Sequence, residues 1–274
     1  MGTTNETLGD FVLVRPIHPR PTEPIRGYVP VAIKPPLSPM VVEGPPDPDF
    51  LTGNYGSAGV WNLTTAGAGA AGSAASNGVD TTERAIGVLA LATGTTGAAQ
   101  PAPAFGFASI RLSASGVLLG LAETQVIVRA AVSALSTAAE EYVCQFGLND
   151  SAAVGTLAPT DGCYFFYDRA ANGDFWCCRT VSNTGTQVTT VTTVPVVAGV
   201  FSVFEIHVTA DGGRVRFFID GVQVATMTGG AIPTGAGRQT GMSALIAKTV
   251  QTAAQSRSLY LDSFYYRFTL GAER

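Results

Sequence analysis

Apolar and polar residues alternate most regularly between residues 201 and 228. Residues 203–208, 214–219 and 222–226 each place apolar side chains at nearly every second position, the period of a strand with one buried face. The pairs Asp211-Gly212 and Asp220-Gly221 separate these runs, and such pairs are strong signals for tight hairpin turns. The pattern predicts three consecutive antiparallel strands.

Alternation of this kind begins at about residue 104. Residues 142–147, 162–167 and 258–266 are rich in aromatic and β-branched side chains, which favour strands. Residues 125–132 contain alanines that suit a helix, but their β-branched cluster favours a strand. The chain from residue 104 onward is therefore predicted to be built of strands, the last of which follows a loop rich in Gly and Thr.

Residues 51–104 are rich in Gly, Ala, Ser and Thr, which predicts mostly loops with strand anchors at Trp61 and residues 86–91. Residues 67–72 match G-x-G-x-x-G. A nucleotide-binding fingerprint also needs a preceding strand and a following amphipathic helix, and the sequence predicts neither here. We expect no cofactor.

The N-terminal region is dominated by proline. Eleven of the 16 prolines lie between Pro16 and Pro48, a density that prevents a helix or a central strand from persisting. We therefore predict an extended arm over residues 1–50, followed by a folded domain over residues 51–274.

Apolar residues run through this arm, and an extended apolar segment loses little entropy when it docks into a groove. The groove belongs either to the chain's own domain or to a neighbouring subunit. The predicted partner-binding residues of the arm are Phe11, Val12, Val14, Ile17, Ile25, Tyr28, Val31, Ile33 and Leu37.

Composition narrows the possible partners. Charged residues make up 13% of the chain and the formal net charge is −4, so the clustered cations that bind nucleic acid are missing. The longest apolar runs are shorter than the roughly 20 residues of a membrane span, and no secretory signal opens the sequence. We expect neither nucleic-acid binding nor membrane insertion, and we expect the protein to be assembled in a cytoplasm.

The sequence offers little for catalysis or metal binding. Its four cysteines form no C-x-x-C pair and only two histidines are present, so no zinc pattern is complete and we expect no metal. Free buried thiols are expected, although a disulfide remains an alternative. Loop carboxylates that could bind calcium in principle are scattered along the chain: Asp150, Asp161, Asp211 and Asp262.

Candidate acid and base groups are equally sparse. Glu140 and Glu141 are adjacent and so point to opposite faces of a strand, whereas a retaining glycosidase needs two carboxyl groups about 5 Å apart. Glu205 and His207 share one strand face, and we expect that face to meet solvent or another subunit while the apolar residues between them fill the core. We expect no enzymatic activity, and a hydrolase remains the minor alternative.

A series of motifs resembles the concanavalin A-like, or laminin-G-like, jelly-roll domains of bacteriophage virion proteins. Residues 161–165 (DGCYF) are similar to the "DG-x-Y-F" strand of that family, Phe175 and Trp176 to its aromatic strand, and residues 211–221 (DGGRVRFFIDG) to its hairpin pair. Residues 259–262 resemble a closing strand. The resemblance covers about residues 55–270 and implies an all-β antiparallel jelly-roll β-sandwich with the extended proline-rich arm in front of it.

The resemblance also implies a role. It suggests a non-catalytic virion structural protein, assembled in the cytoplasm of a bacterial host, that decorates a capsid. Its arm and sandwich would bind the major capsid protein or another virion protein and sibling subunits in a homo-oligomer, with a trimer favoured. The alternative is an adhesin of a tail or head fibre that binds a host glycan, for which Tyr167 and Trp176 are the candidate contacts, although aromatic residues of a sandwich usually fill its core.

Overall fold

A computed structural model gives the fold of the chain. It describes residues 4–8, 11–15, 40–44, 61–75, 87–95, 106–112, 116–150, 157–183, 185–251 and 254–270, and the side chains of these residues except in the first three strands and at residues 73–75, 251 and 270. Within these ranges no helix has the length and apolar character that crossing a membrane requires.

Seventeen strands and one short helix make up the described residues. In chain order they are β1 (Thr4–Leu8), β2 (Phe11–Arg15), β3 (Met40–Gly44), β4 (Trp61–Ala66), β5 (Ala71–Ala75), β6 (Val88–Ala92), β7 (Phe107–Leu112), β8 (Glu123–Val132), β9 (Glu140–Asn149), β10 (Gly162–Asp168), α1 (Arg169–Asn172), β11 (Phe175–Ser182), β12 (Thr186–Pro195), β13 (Ser202–Val208), β14 (Arg214–Ile219), β15 (Val222–Thr228), β16 (Gly241–Gln251) and β17 (Ser258–Leu270).

Two antiparallel sheets face each other. The seven-stranded sheet has the order β12-β11-β10-β9-β16-β7-β4, and the eight-stranded sheet has the order β15-β14-β13-β8-β17-β6-β5 with β3 added alongside β17. Inward side chains from both sheets, including Phe146, Phe165, Phe204 and Phe217, form one buried cluster. The prediction of an all-β antiparallel sandwich is confirmed.

The three-strand meander is also confirmed. Strands β13, β14 and β15 pair in succession at one end of the eight-stranded sheet, and β14 turns into β15 at Asp220 and Gly221, which have φ angles of +49° and +76°. Two successive residues with positive φ characterise the tight turn that matches the twist of paired strands. The predicted strand over residues 125–132 is confirmed as β8.

One prediction of a loop was wrong and a second was incomplete. The stretch before the last strand contains β16, which lies between β9 and β7 in the middle of its sheet. In residues 51–104 the strand anchors at Trp61 and residues 86–91 are confirmed as β4 and β6, but the loops predicted around them include a third strand, β5. Both stretches are rich in small residues, whose weak strand preference is overridden when neighbouring strands bury them.

The region assigned to the arm contains strands. Strands β1 and β2 pair with each other, and β3 pairs with the end of β17, with Met40 opposite Leu270. The five residues of β3 lie between Pro39 and Pro45, which limit the length of the strand because proline has no N–H to donate. Phe11, Val12 and Val14 belong to β2, whereas Ile17, Ile25, Tyr28, Val31, Ile33 and Leu37 lie outside the described residues.

Candidate functional site

The two proposed glycan contacts lie in the core. Tyr167 is fully buried and Trp176 is 3% exposed. The Tyr167 hydroxyl donates to Asp174 Oδ1 at 2.7 Å and accepts from Ser136 N–H at 3.0 Å, and burial raises its pKa. The Trp176 ring packs edge-on against Phe204. In the folded chain neither ring is available to stack on a sugar, because both point between the sheets.

Aromatic side chains on strand β11 and its neighbour β10 divide between the two faces of the seven-stranded sheet. Phe165 and Tyr167 point inward, whereas Tyr164 and Phe166 point outward and are nevertheless buried, being 1% and 3% exposed. Phe175, at the start of β11, is the exception at 41% exposed. It is the one large aromatic side chain among the described residues that is open to a partner.

The outer face of the seven-stranded sheet is closed to solvent at its centre. Gln145 lies between Leu245 and Phe166 on neighbouring strands, and all three are at most 3% exposed. The Gln145 Nε2 group has no hydrogen-bond partner among the described residues. Leu157, which precedes β10, packs over one end of this face. A surface of this kind is unlike an open sugar-binding cleft.

The outer face of the eight-stranded sheet carries the Glu205 and His207 pair. As predicted, the apolar residues between and beside them are buried, while these two side chains are 22% and 24% exposed. His207 Nε2 lies 2.9 Å from Glu205 Oε2 and 3.0 Å from Gln125 Nε2. The imidazole also lies 4.7 Å from the Phe218 ring, centre to centre. The pair on β13 is thus held by neighbours on two strands, β8 and β14.

The four carboxylates considered for calcium binding are all engaged in structural bonds. Asp161 accepts from Asn183 N–H and contacts Arg238, and Asp150 accepts from Thr160 N–H. Asp211 accepts from Thr209 Oγ1 and Gly213 N–H within its own turn, which lowers the pKa of that carboxyl. Asp262 pairs with Arg129 at 2.6 Å.

These bonds tie each carboxylate to a neighbouring backbone or side-chain group of the fold. No group of three His, Cys, Asp or Glu residues in the described part of the chain could hold a metal ion.

Buried groups elsewhere are structural as well. Lys248 Nζ lies 3.2 Å from Glu140 Oε2, and both side chains are almost completely buried. Burial lowers the pKa of Lys248, and Glu140 opposes this effect. The four cysteines are free and buried, and desolvation raises the pKa of each thiol, that of Cys177 to about 11. Thiols of this kind are weak nucleophiles because the reactive thiolate is scarce.

One surface does stand open, and we call it the valine edge. It consists of β12 and its flanks, where Phe175, Val188, Val191, Val197 and Val200 are 41–51% exposed. The pairing with β11 places Val191 on the outer face of the sheet and Val188 on the inner face. Strand β12 ends the seven-stranded sheet, and β15, also an end strand, contacts it. Residues 180–204 contain no Asp, Glu, Lys or Arg. Sequence reasoning missed this surface because it did not identify β12.

Comparisons with known proteins agree on the fold. The family model described as "SO2946-like, C-terminal domain" matches residues 84–262. An endo-1,3-beta-glucanase from Streptomyces sioyaensis superimposes with a TM-score of 0.52 at 14% identity, over 88% of this chain and 100% of that one. The carbohydrate recognition domain of Emp47p superimposes with a TM-score of 0.50 at 12% identity, over 81% and 93%. No curated protein sequence matches.

Identities this low establish the fold alone. The chain shares the jelly-roll, concanavalin A-like sandwich of these two proteins, as the sequence motifs implied. That sandwich carries an enzyme in one case and a recognition domain in the other, so its architecture does not decide between these activities.

Proposed function

The chain belongs to the SO2946-like C-terminal domain family, and we propose that it is a non-catalytic structural protein of a bacteriophage particle. In this role it decorates the capsid, binding the major capsid protein or another virion protein and sibling subunits. It is assembled in the bacterial cytoplasm and is carried on the finished particle.

The valine edge is the observation that carries this proposal. Exposed apolar side chains that gather at one part of a surface often mark the site of a protein partner. Here Val188, Val191, Val197 and Val200 stand open in a stretch of 25 residues (180–204) without a charged side chain. An uncharged surface of valines and threonines suits a subunit contact, because charged residues are depleted at the core of protein interfaces.

The engaged carboxylates support the non-catalytic part of the proposal. Glu140, Glu205 and Asp262 are each held by a neighbouring Lys, His or Arg. A hydrolase would need two carboxyl groups free to approach one sugar.

The arm supplies the second contact. Its apolar residues are interspersed with prolines, a composition that favours an extended backbone, and an extended segment can dock along a groove of the capsid or of a sibling subunit at low entropic cost. Strand β3 joins the arm to the sandwich through β17. A deletion that tests the arm must therefore end before Met40.

Purified particles provide the test. The full chain, expressed with its particle, is expected to co-sediment with the major capsid protein in a fixed ratio. A variant lacking residues 1–39 should keep the sandwich, as judged by circular dichroism, and should be lost from the particles.

Two substitution variants test whether the apolar side chains of the arm, rather than its length alone, are needed for particle binding. Replacing Ile25, Tyr28 and Val31 with serine should reduce particle binding, whereas replacing Thr22, Glu23 and Arg26 should not. Absence of the full chain from particles would contradict the proposal, and so would full occupancy by the variant lacking residues 1–39.

Glycan binding by an adhesin is the second candidate. Two observations favour it: a carbohydrate recognition domain shares the fold, and the exposed Phe175 ring could stack on the apolar face of a sugar. On a glycan array this function requires binding to one sugar class that Phe175→Ser abolishes and the control Val222→Ser preserves. Absence of binding to every sugar would exclude it under those conditions.

A further inference from the structure

The sequence of β12 is a palindrome. Residues 188–194 run Val-Thr-Thr-Val-Thr-Thr-Val, so they are the same from either end, with Val191 at the centre. An antiparallel pair of identical strands related by a two-fold axis through Val191 places residue 191−n opposite residue 191+n. Every position then meets its own residue type, valine opposite valine and threonine opposite threonine.

The position of β12 in the sheet leaves it available for such pairing. Within the described residues β12 pairs only with β11, so its other side is the end of the sheet. Natural proteins protect sheet edges with charged side chains, inward-pointing lysines or prolines. Strand β12 has no charged residue, and its one proline, Pro195, is its last residue.

Exposure of the outward side chains agrees with a missing partner strand. Val191 lies opposite Cys177 on the outer face of the sheet and is 48% exposed. Thr189 and Thr193, two positions away on the same face, are exposed as well. Paired threonines and paired β-branched residues stabilise neighbouring strands, so a second copy of this strand fits the edge better than a charged segment would.

We propose that two copies of the chain form a dimer by antiparallel pairing of β12 with β12 about a two-fold axis at Val191. The two seven-stranded sheets then join into one continuous sheet across the dimer. On the outer face Val191 meets the partner's Val191, and Thr189 meets the partner's Thr193.

A bulge sets the extent of the pairing. Between Val191 and Pro195, β12 departs from regular pairing with β11, and Thr192 Oγ1 donates to the Trp176 carbonyl at 2.7 Å. Bulges increase the local twist of a strand. Because the irregular stretch begins after Val191, we expect regular pairing between the two copies only close to the axis at Val191.

Charge variants at the axis test this geometry. The full chain should sediment at twice the mass of one 28.2 kDa chain. Val191→Lys and Val191→Glu each place two like charges face to face, so each variant alone should sediment as a monomer with an unchanged circular dichroism spectrum. An equimolar mixture of the two should restore the dimer, with one copy of each in native mass spectrometry.

A matched control lies on the neighbouring edge. Val222 is 66% exposed at the start of β15, and Val222→Lys should leave the dimer intact. The proposal is overturned by a wild-type chain that is monomeric or trimeric, by a Val191→Lys variant that remains dimeric, or by a mixture of the two charge variants that remains monomeric. This dimer does not depend on the particle role, since a decoration protein could be monomeric and a dimer could serve another role.

Discussion

Glu140 and Lys248 form a buried ion pair whose disruption tests the account of the core. Glu140 begins β9 and Lys248 lies on β16, with Nζ and Oε2 3.2 Å apart and side chains 0% and 2% exposed. At an effective dielectric constant of about 20, that separation corresponds to an attraction of about 5 kcal/mol. Removing one partner of a buried pair costs about 3–5 kcal/mol because the other charge stays buried.

Glu140→Gln removes the charge with little change of shape. Lys248 Nζ also donates to the Gln255 carbonyl, which places the expected loss at the lower end, about 3 kcal/mol. This loss should clearly lower the urea concentration at the midpoint of unfolding. It should lower the melting temperature by about 6–12 °C for a domain of this size. Replacing both residues, with Glu140→Gln and Lys248→Met, should recover most of the loss.

The loss should also depend on pH. Burial already lowers the pKa of Lys248, and the carboxylate opposes this, so Glu140→Gln lowers that pKa further. Between the lowered pKa and the ordinary value of 10.5, the unfolded chain binds a proton that the folded chain does not, and stability rises with pH. The difference in unfolding free energy between Glu140→Gln and the wild type should therefore narrow as the pH is raised.

The matched control is Glu141→Gln. Glu141 is the next residue of β9 and points to the opposite face of the sheet, half-buried, so its replacement should change stability by less than about 0.5 kcal/mol. An equal loss in both single variants, or a double variant no more stable than Glu140→Gln, would refute the reasoning.

Three further predictions concern other buried groups. The pKa values of the four buried thiols are raised, that of Cys177 to about 11, so no thiol of the native chain should react rapidly with a disulfide reagent. The free energy of unfolding should fall as the pH rises above 9.0, because the thiols of the unfolded chain ionise first. Rapid labelling of the native chain would contradict this. Tyr167→Phe removes the hydroxyl that donates to Asp174 and should cost about 1–3 kcal/mol in urea unfolding, and an unchanged midpoint would show the bond to be dispensable. Gly147→Ala should lower the free energy of unfolding by about 1–3 kcal/mol, because Gly147 has a φ of +138° and the added Cβ would lie 2.8 Å from Ile206 Cδ1. A variant as stable as wild type would argue against that packing.

Local signals were enough to predict the meander. The turn between β14 and β15 needs two residues with positive φ, and Asp220 and Gly221 tolerate that conformation better than other residues. The alternation on each side of the turn sets which face is buried. A hairpin is formed by neighbours in sequence, so its determinants are all visible in a short window.

Strands β12 and β16 could not be found in this way. Residues 241–248 of β16 are all buried, so no alternation of polar and apolar side chains marks the strand. In β12 the valines recur at every third residue, at Val188, Val191 and Val194, which matches neither the period of a strand nor that of an amphipathic helix. Their secondary structure depends on neighbouring strands that are distant in sequence.

The same dependence limited the prediction of a site. Alternation along β10 places Tyr167 and Tyr164 on opposite faces, but aromatic residues occupy both faces and both are buried. Sequence alone therefore could not tell which ring faced outward. Trp176 is followed by two cysteines, and it lies where the pairing of β11 with β12 shifts register, so its direction depends on strand pairing that the sequence does not show.

The palindrome in β12 acquires its meaning from strand order. In a central strand the same seven residues would be covered on both sides, and their symmetry would have no consequence. Because the order of the sheet places β12 last, a row of backbone groups and the exposed Val191 are left beside solvent, where an unprotected strand tends to pair with another. The self-complementarity is local, the exposure is a property of the whole sandwich, and the dimer requires both.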